Sequence, residues 1–150
     1  MVELEVLAPL DGIVVELEKV PDEVFAQKMV GDGVAIDPDG SIAVAPVAGT
    51  LVKLFPGGHA FGIAGEDGIE LIVHLGLDTI ELEGKGFENI AVEGQVVQIG
   101  TPIVRFDRAT IERMGKVMVS PVVSTGNGTI LRRASGVVRA GHDVLFVLRV

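Results

Sequence analysis

The chain has 150 residues, enough for one domain with a sizeable core, and 48% of them are hydrophobic, which excludes disorder. It carries no Cys, so disulfides, thiol nucleophiles and Cys-based zinc sites are excluded, and the absence fits a reducing cytoplasm. The net charge of −9 argues against nucleic acid and anionic membrane surfaces as partners and favours basic proteins. The acidic start Met1-Val2-Glu3-Leu4-Glu5 lacks a signal-peptide apolar core, and no apolar run approaches membrane-spanning length.

Residues 3–7 read as a first strand, Ala8 to Gly12 as a turn, and Ile13 to Leu17 as a second strand. Pro21 opens a short helical pattern, Asp22 to Met29, with Val24, Phe25 and Met29 as its apolar stripe and acids in its first turn. Gly31-Asp32-Gly33 ends it, Val34-Ala35-Ile36 begins another strand, and Asp37-Pro38-Asp39-Gly40 is a turn. Ile42 to Ala45, Thr50 to Phe55, Phe61 to Ala64 and Ile69 to His74 continue the strand series. Arg108 to Lys116 is a short surface helix closed near Gly115, and Gly126-Asn127-Gly128 reads as a hairpin turn. No Lys-Ser/Thr follows that turn, so it is no phosphate loop. Regular short strands with Gly and Pro punctuation predict an all-β fold, an antiparallel sandwich or barrel with a few short helices.

The chain also echoes itself. Ala8-Pro9-Leu10-Asp11-Gly12 resembles Ala45-Pro46-Val47-Ala48-Gly49, with Ser120-Pro121-Val122 as a poorer third copy, and residues 96–104 align with 137–145. The echoes predict duplicated β-motifs without the fixed period of a solenoid. No Pro/Gly/Ser linker divides the chain, so residues 1–150 are read as a single domain.

The stretch from His59 to Thr79 organises the rest. Two apolar runs flank Gly65-Glu66-Asp67-Gly68, the pattern of a hairpin. With Glu66-Asp67 at the tip, Ala64 meets Ile69, Phe61 meets Ile72 and His59 meets His74, the two rings side by side at the open end. His59, Phe61 and Ile63 then share a face with Glu70, Ile72 and His74. With Asp67-Gly68 at the tip, the histidines become diagonal neighbours on one face, whereas a one-residue slip would part them. Both faces are largely apolar, so the rings are expected at the edge of an apolar depression.

Paired imidazoles, mostly neutral near pH 7, suit a nucleophile, a base or a ligand. One ring could attack a phosphoryl group while the other donates to its oxygens. From the hairpin alone, that role and an accidental pairing of edge histidines weigh about equally. Leu75-Gly76-Leu77-Asp78-Thr79 tilts the balance: Gly76 frees the backbone beside the ring, and a turn there can aim N–H groups at an anion. His142 reads as a solvated loop histidine, and Glu81 and Glu83 as solvated strand-edge charges.

Val73-His74-Leu75-Gly76-Leu77-Asp78-Thr79 resembles the phosphorylation motif of the glucose-type enzyme IIA domain of the bacterial sugar phosphotransferase system. The resemblance runs on through Val20 to Phe25, Gly31 to Ile36, Ala45 to Thr50, His59-Ala60-Phe61, Gly84 to Phe87 and Glu93-Gly94-Gln95, nearly the whole chain in order. It implies an antiparallel β-sandwich and a cytoplasmic phosphocarrier, a phosphotransferase component that works through a phosphohistidine. His74 would accept the phosphoryl group from the histidine-containing phosphocarrier HPr and pass it to a cysteine on the IIB domain of a sugar permease. His59 would lie beside it and support the phosphoryl group. Val34, Ile36, Phe55, Ile72 and Ile80 match apolar positions around the depression, and Asp32 and Asp78 match carboxylates at its rim. For Phe55 and Ile72, plain core packing is the competing reading.

That division of labour is physically coherent. Phosphoryl transfer depends on positioning and on stabilising charge over three oxygens, so rim carboxylates should serve a partner's Arg or Lys. An apolar collar slows hydrolysis of the phosphohistidine and offers a docking patch. One departure stands out: Gly57 occupies the place where the family usually has a Thr whose hydroxyl helps to orient the histidine pair. Longer family members have an N-terminal extension proposed to touch membranes; this chain starts almost at its first strand, and no such contact is expected. No cofactor is required, with zinc, adventitious or completed by a partner's ligand, a further expectation at His59 and His74. The alternatives are a zinc-binding hydrolase with the metal on His59 and His74, for which no His-x-His or His-Glu-x-x-His motif is present, and a regulatory module that docks other proteins.

Overall fold

A computed structural model describes residues 2–150. The strands are β1 (Glu3–Leu7), β2 (Gly12–Glu16), β3 (Asp32–Pro38), β4 (Ile42–Val44), β5 (Gly49–Leu54), β6 (Ala60–Ala64) and β7 (Glu70–His74). They continue with β8 (Phe87–Asn89), β9 (Val96–Val97), β10 (Pro102–Phe106), β11 (Ser120–Ser124), β12 (Thr129–Arg133), β13 (Val137–Val138) and β14 (Val144–Arg149). Two short helices interrupt them, α1 (Glu23–Ala26) and α2 (Arg108–Arg113). No helix among the described residues is long and apolar enough to cross a membrane.

All strand pairings are antiparallel. One large sheet has the order β13-β2-β3-β11-β7-β6-β5-β9, and two small sheets have the orders β1-β14-β12 and β4-β10-β8. The main core joins Ile36, Phe61 and Val73 of the large sheet to Phe146 and Leu148 of one small sheet and Ile103 and Phe106 of the other. Both small sheets therefore pack on the same face of the large one, which makes an antiparallel sandwich. The all-β expectation holds.

The sheet order reads as two matching halves that meet at the β11–β7 pair. β13, β2, β3 and β11 answer to β9, β5, β6 and β7, and the small sheets answer to each other. This is the duplication heard in the sequence. The two Ala-Pro echoes face one another: Leu7 N–H donates to Pro46 O at 3.0 Å and Val44 N–H to Pro9 O at 2.9 Å. The later echoes clasp them alike, Gly141 N–H on Ala8 O at 2.8 Å and Gly100 N–H on Ala45 O at 2.9 Å. Glycine closes the second echo because a Cβ at Gly49 would lie 2.1 Å from Ala64 O. Ser120-Pro121-Val122 is no third copy, since it lies inside β11 at the centre of the large sheet.

Several boundaries differ from expectation. α1 spans only Glu23–Ala26, because the Asp22 carboxylate caps it, accepting Val24 N–H at 3.0 Å, and Lys28 turns left-handed with φ 61°. Pro21 precedes the cap. A helix this short buries one residue, Phe25, and leaves Val24 and Met29 47% and 70% exposed, so the supposed apolar stripe faces solvent. Asp37 and Pro38 belong to the end of β3, where Asp37 pairs with Arg108 of α2 at 2.8 Å. α2 ends at Arg113 and anchors itself through the fully buried Ile111. Gly126-Asn127-Gly128 does not close a hairpin: it carries the chain from β11 in the large sheet to β12 in a small one. On the way, Asn127 N–H donates to Gly68 O at 3.0 Å and so props the loop between β6 and β7.

Candidate functional site

The β6–β7 hairpin carries both histidines, in neither of the expected registers. Its loop has three residues, Glu66–Gly68, with Asp67 at φ 54° and Gly68 at φ 78°, and Gly65 N–H donates to Ile69 O at 3.0 Å. An odd loop shifts the pairing by one, so Ala60 faces His74, Phe61 faces Val73 and Ile63 faces Leu71. Phe61, Ile63, Leu71 and Val73 point together into the main core, while Ile72 and His74 share the outer face with Ala60 and Gly62.

Regular alternation would now separate the rings, yet they meet. The reason is that His59 precedes β6, in a bend after Gly58 at φ 78°. The strand pleat does not govern it there. A Cβ at Gly58 would lie 2.9 Å from both Asn89 Oδ1 and Phe87 Cβ, so the bend also needs glycine for room. The ring centroids of His59 and His74 stand 5.5 Å apart, edge to face. Phe55 packs on His59 at 4.8 Å and Phe25 on His74 at 5.2 Å, which makes a row of four rings. Lys53 Nζ lies 5.0 Å over the outer face of Phe55.

The two rings are held differently. His74 Nδ1 lies 2.6 Å from Gly76 O, and a carbonyl can only accept, so Nδ1 carries the proton and Nε2 keeps its lone pair. The turn that presents this carbonyl is tied down: Thr79 Oγ1 donates to Leu75 O at 2.6 Å and Leu77 N–H donates to Val117 O at 2.9 Å. Gly76 has φ 80°, and a Cβ there would come within 2.7 Å of Thr79 Cγ2. His59 is 6% exposed and rests against Phe55. A Cβ at Gly57 would sit 3.8 Å from His59 Nδ1, so this position does look at the ring even though glycine gives it nothing to offer.

Burial pushes the pKa of His59 down, and the neighbouring His74 pushes it further the same way. Burial also lowers that of His74, against the opposing pull of the Gly76 hydrogen bond and the Asp22 and Asp78 carboxylates. Both rings are therefore neutral at pH 7, as a nitrogen nucleophile must be.

The expected surroundings divide. Ile72 is half-buried on the face of His74, Ile80 is 61% exposed just beyond the turn, and Asp78 is exposed beside it. Phe55 touches His59 directly. Val34 and Ile36 do not belong to the rim. They are 1% and 0% exposed in the main core, because even-numbered residues of β3 point inward. The site side of β3 shows Ala35, which packs with Leu17, Val20, Phe25, Leu77 and Val123 in a smaller cluster beneath α1. Asp32 is engaged elsewhere, in ion pairs with Arg133 at 2.7 Å and Lys28 at 3.6 Å. It lies opposite Ser124, which faces Leu71, so it is three residues and two strands from His74, on the order of 10 Å or more.

What stands at the rim in place of these is α1. Asp22 joins Asp78 in acting on His74, Phe25 packs on its ring, and Val24 of α1 is an exposed apolar group, as is Met29 three residues past the helix. The readable signal was Pro21-Asp22 before a segment too short to bury an apolar stripe. A cleft of about 680 Å³ between Glu16, Lys28 and Arg133 lies elsewhere and neither histidine lines it.

As a metal site the pair is incomplete. Among the described residues no three His, Cys, Asp or Glu side chains gather to hold an ion. A catalytic zinc takes three protein ligands and a structural one four, whereas this site brings two imidazoles together. The two histidines alone do not complete a zinc site, and the hydrolase alternative has no third ligand among the described residues.

Comparison with known proteins points one way. A family model described as phosphoenolpyruvate-dependent sugar phosphotransferase system, EIIA 1, matches residues 4–130. The chain is 44% identical over 150 residues to the PTS system glucose-specific EIIA component of Haemophilus influenzae, covering 99% of this chain and 90% of that protein. It is 44% identical over 149 residues to the PTS system N-acetylglucosamine-specific EIICBA component of Escherichia coli, covering 97% of this chain but only 23% of that protein. Among solved structures, glucose permease IIA from Mycoplasma capricolum matches with a TM-score of 0.92 at 40% identity, covering 99% of this chain and 97% of that one.

Proposed function

This chain belongs to the EIIA 1 family of the phosphoenolpyruvate-dependent sugar phosphotransferase system, and from that premise we propose that His74 is the residue that carries its phosphoryl group. The protein is a phosphocarrier of sugar uptake. Nε2 of His74 takes the phosphoryl group from phospho-HPr and yields it to the IIB domain of a glucose-type permease. The observation that supports this most is the 2.6 Å bond from His74 Nδ1 to Gly76 O, which leaves Nε2 free to attack. The same carbonyl balances the positive charge that spreads to Nδ1 when Nε2 bonds phosphorus. His59 stands beside the transferred group and donates to its oxygens. Zinc takes no part.

Donor and acceptor dock in turn on one patch. We assign to it Phe55, Ile72 and Ile80 from the hairpin side, Val24 from α1 and Met29 from the turn that follows it. Asp22 and Asp78 meet basic groups of the partner, which suits a chain of net charge −9. Residues 1–150 act as one domain in the cytoplasm. Although the family model stops at 130, β14 pairs with β1 from Glu3↔Arg149 to Leu7↔Val144 and closes the sandwich. Phosphate on His74 adds charge within an apolar patch, and regulated partners then distinguish the two states.

The test is incubation with phosphoenolpyruvate, enzyme I and HPr, followed by mapping of an acid-labile phosphate. Label is expected on His74 and absent from His74→Gln, while His59→Gln accepts label and passes it on poorly. Label on His59 would reverse the roles.

A further inference from the structure

His74 is oriented by a carbonyl, and that carbonyl belongs to a turn that a distant segment grips. Residues 117–120 lie more than forty positions along the chain and form the start of β11 and the loop before it. Val117 O accepts Leu77 N–H at 2.9 Å, on the same peptide plane as Gly76 O. Ser120 Oγ accepts Gly76 N–H at 3.1 Å, on the plane before it, and donates its own proton to Met118 O at 2.7 Å. Ser120 is 0% exposed.

The Ser120 hydroxyl is thus oriented from behind and presents a lone pair forward. Because its proton goes to Met118 O, the oxygen can only accept from Gly76. Gly76 in turn is held at φ 80°, and a Cβ at this residue would lie 3.0 Å from Val117 O. The two peptide planes on either side of Gly76 are pinned by one short segment, and the carbonyl of the second is thereby aimed at His74 Nδ1. The requirement for a hydroxyl here is separate from fold: β11 pairs with β3 and β7 through its backbone whatever side chain stands at 120.

We propose that Ser120 is a positioning residue for phosphoryl transfer, fixing the Gly76 turn and through it the tautomer and angle of the His74 ring. This rests on His74 being the nucleophile. Ser120 touches neither the phosphoryl group nor a partner; it acts by keeping the Nε2 lone pair aimed. Misdirection of a nucleophile by a fraction of an ångström lowers a transfer rate sharply.

The experiment compares wild type, Ser120→Ala and Ser120→Thr by ¹⁵N NMR of the His74 ring and by the initial rate of labelling from phospho-HPr. Wild type should show the Nδ1–H tautomer. Ser120→Ala should show a mixture of tautomers and label about tenfold more slowly. Burial already lowers the His74 pKa and the Gly76 bond opposes it, so loosening that bond moves the titration midpoint of Ser120→Ala downward. Ser120→Thr keeps the hydroxyl and should recover both the tautomer and most of the rate. Ser120→Ala with wild-type tautomer and rate overturns the inference. If Ser120→Ala fails to fold, Ser120→Cys keeps the volume with a weak acceptor, and a wild-type labelling rate in that variant also overturns it. A wild-type ring in the Nε2–H form overturns it as well. Absence of label from wild-type His74 would instead remove its assignment as the nucleophile, while the tautomer spectra would still report separately whether Ser120 positions the ring.

Discussion

The carbonyl of His59 accepts the N–H of Leu75 at 2.7 Å, which clamps the two histidine backbones one residue out of step while the His59 and His74 rings meet at 5.5 Å. The bend at Gly58 makes this compatible, because it releases His59 from the strand before the pleat begins. Gly58→Ala forces a left-handed φ on an L side chain, which costs about 1–2 kcal/mol, and its Cβ also meets Asn89 and Phe87. The expected result is a lower denaturation midpoint, and slower hand-on from phospho-His74 to IIB than the loss of folded protein explains.

Gly57 offers the opposite change. Its neighbours leave ordinary contact distances for a Cβ, the nearest being Gly84 N at 3.4 Å, and the side chain would face His59 Nδ1. Gly57→Thr should add a hydrogen bond to this ring, of about 1 kcal/mol net. Faster hand-on to IIB is expected in the wild-type background and no gain in His59→Gln. A gain in both would mean that the threonine acts on something other than His59.

Both histidines have lowered pKa values in the folded protein, chiefly through burial. The unfolded chain therefore binds protons first as pH falls below the ordinary value of 6.5. The associated stability is complete above that value and declines as pH drops from 6.5 towards the folded pKa values. Urea midpoints at pH 8, 6.5 and 5.5 should show a small fall over the first interval and a larger one over the last, both smaller in His59→Gln. Asp107, lowered by its bonds to Thr110, and Asp143, lowered by those to Arg139, lose their contributions only below their ordinary value of 3.8, so the two windows do not overlap.

Ile80 and Val34 make a matched contrast. Ile80 is 61% exposed and Val34 is 1% exposed. Ile80→Ala should change stability by no more than about 0.5 kcal/mol. It should raise KM for phospho-HPr about fivefold, as loss of a 1 kcal/mol docking contact requires. Val34→Ala should lose roughly 2 kcal/mol of stability and leave KM unchanged. If Val34→Ala raised KM while Ile80→Ala did not, the docking patch would lie elsewhere.

Most of the architecture was legible along the chain. β1, β5 and β7 fall within a residue of the runs that announced them, since alternation and Gly/Pro punctuation are local and a half-buried strand cannot hide them. The echoes of Ala8–Gly12 and Ala45–Gly49 foretold a duplicated fold for a similar reason, because equivalent turns need equivalent residues. What misled was the number of residues in a loop. Glu66–Gly68 takes three, and that count reverses which side of β6 faces which side of β7. α1 failed in a different way: an apolar pattern signals burial only where enough helix follows to bury it, and Val24 and Met29 point to solvent.

The sequence by itself determined the sandwich, the hairpin, the family and the two histidines, because each is written in neighbouring residues whose chemistry acts over a few ångströms of chain. Only the tertiary structure decided which side of β3 meets the site, that Asp22 joins Asp78 in acting on His74, and that Ser120 supports its turn. Those are contacts across strands, set by the face a residue presents once the core has closed, and a linear pattern leaves that face open wherever one residue of register is uncertain.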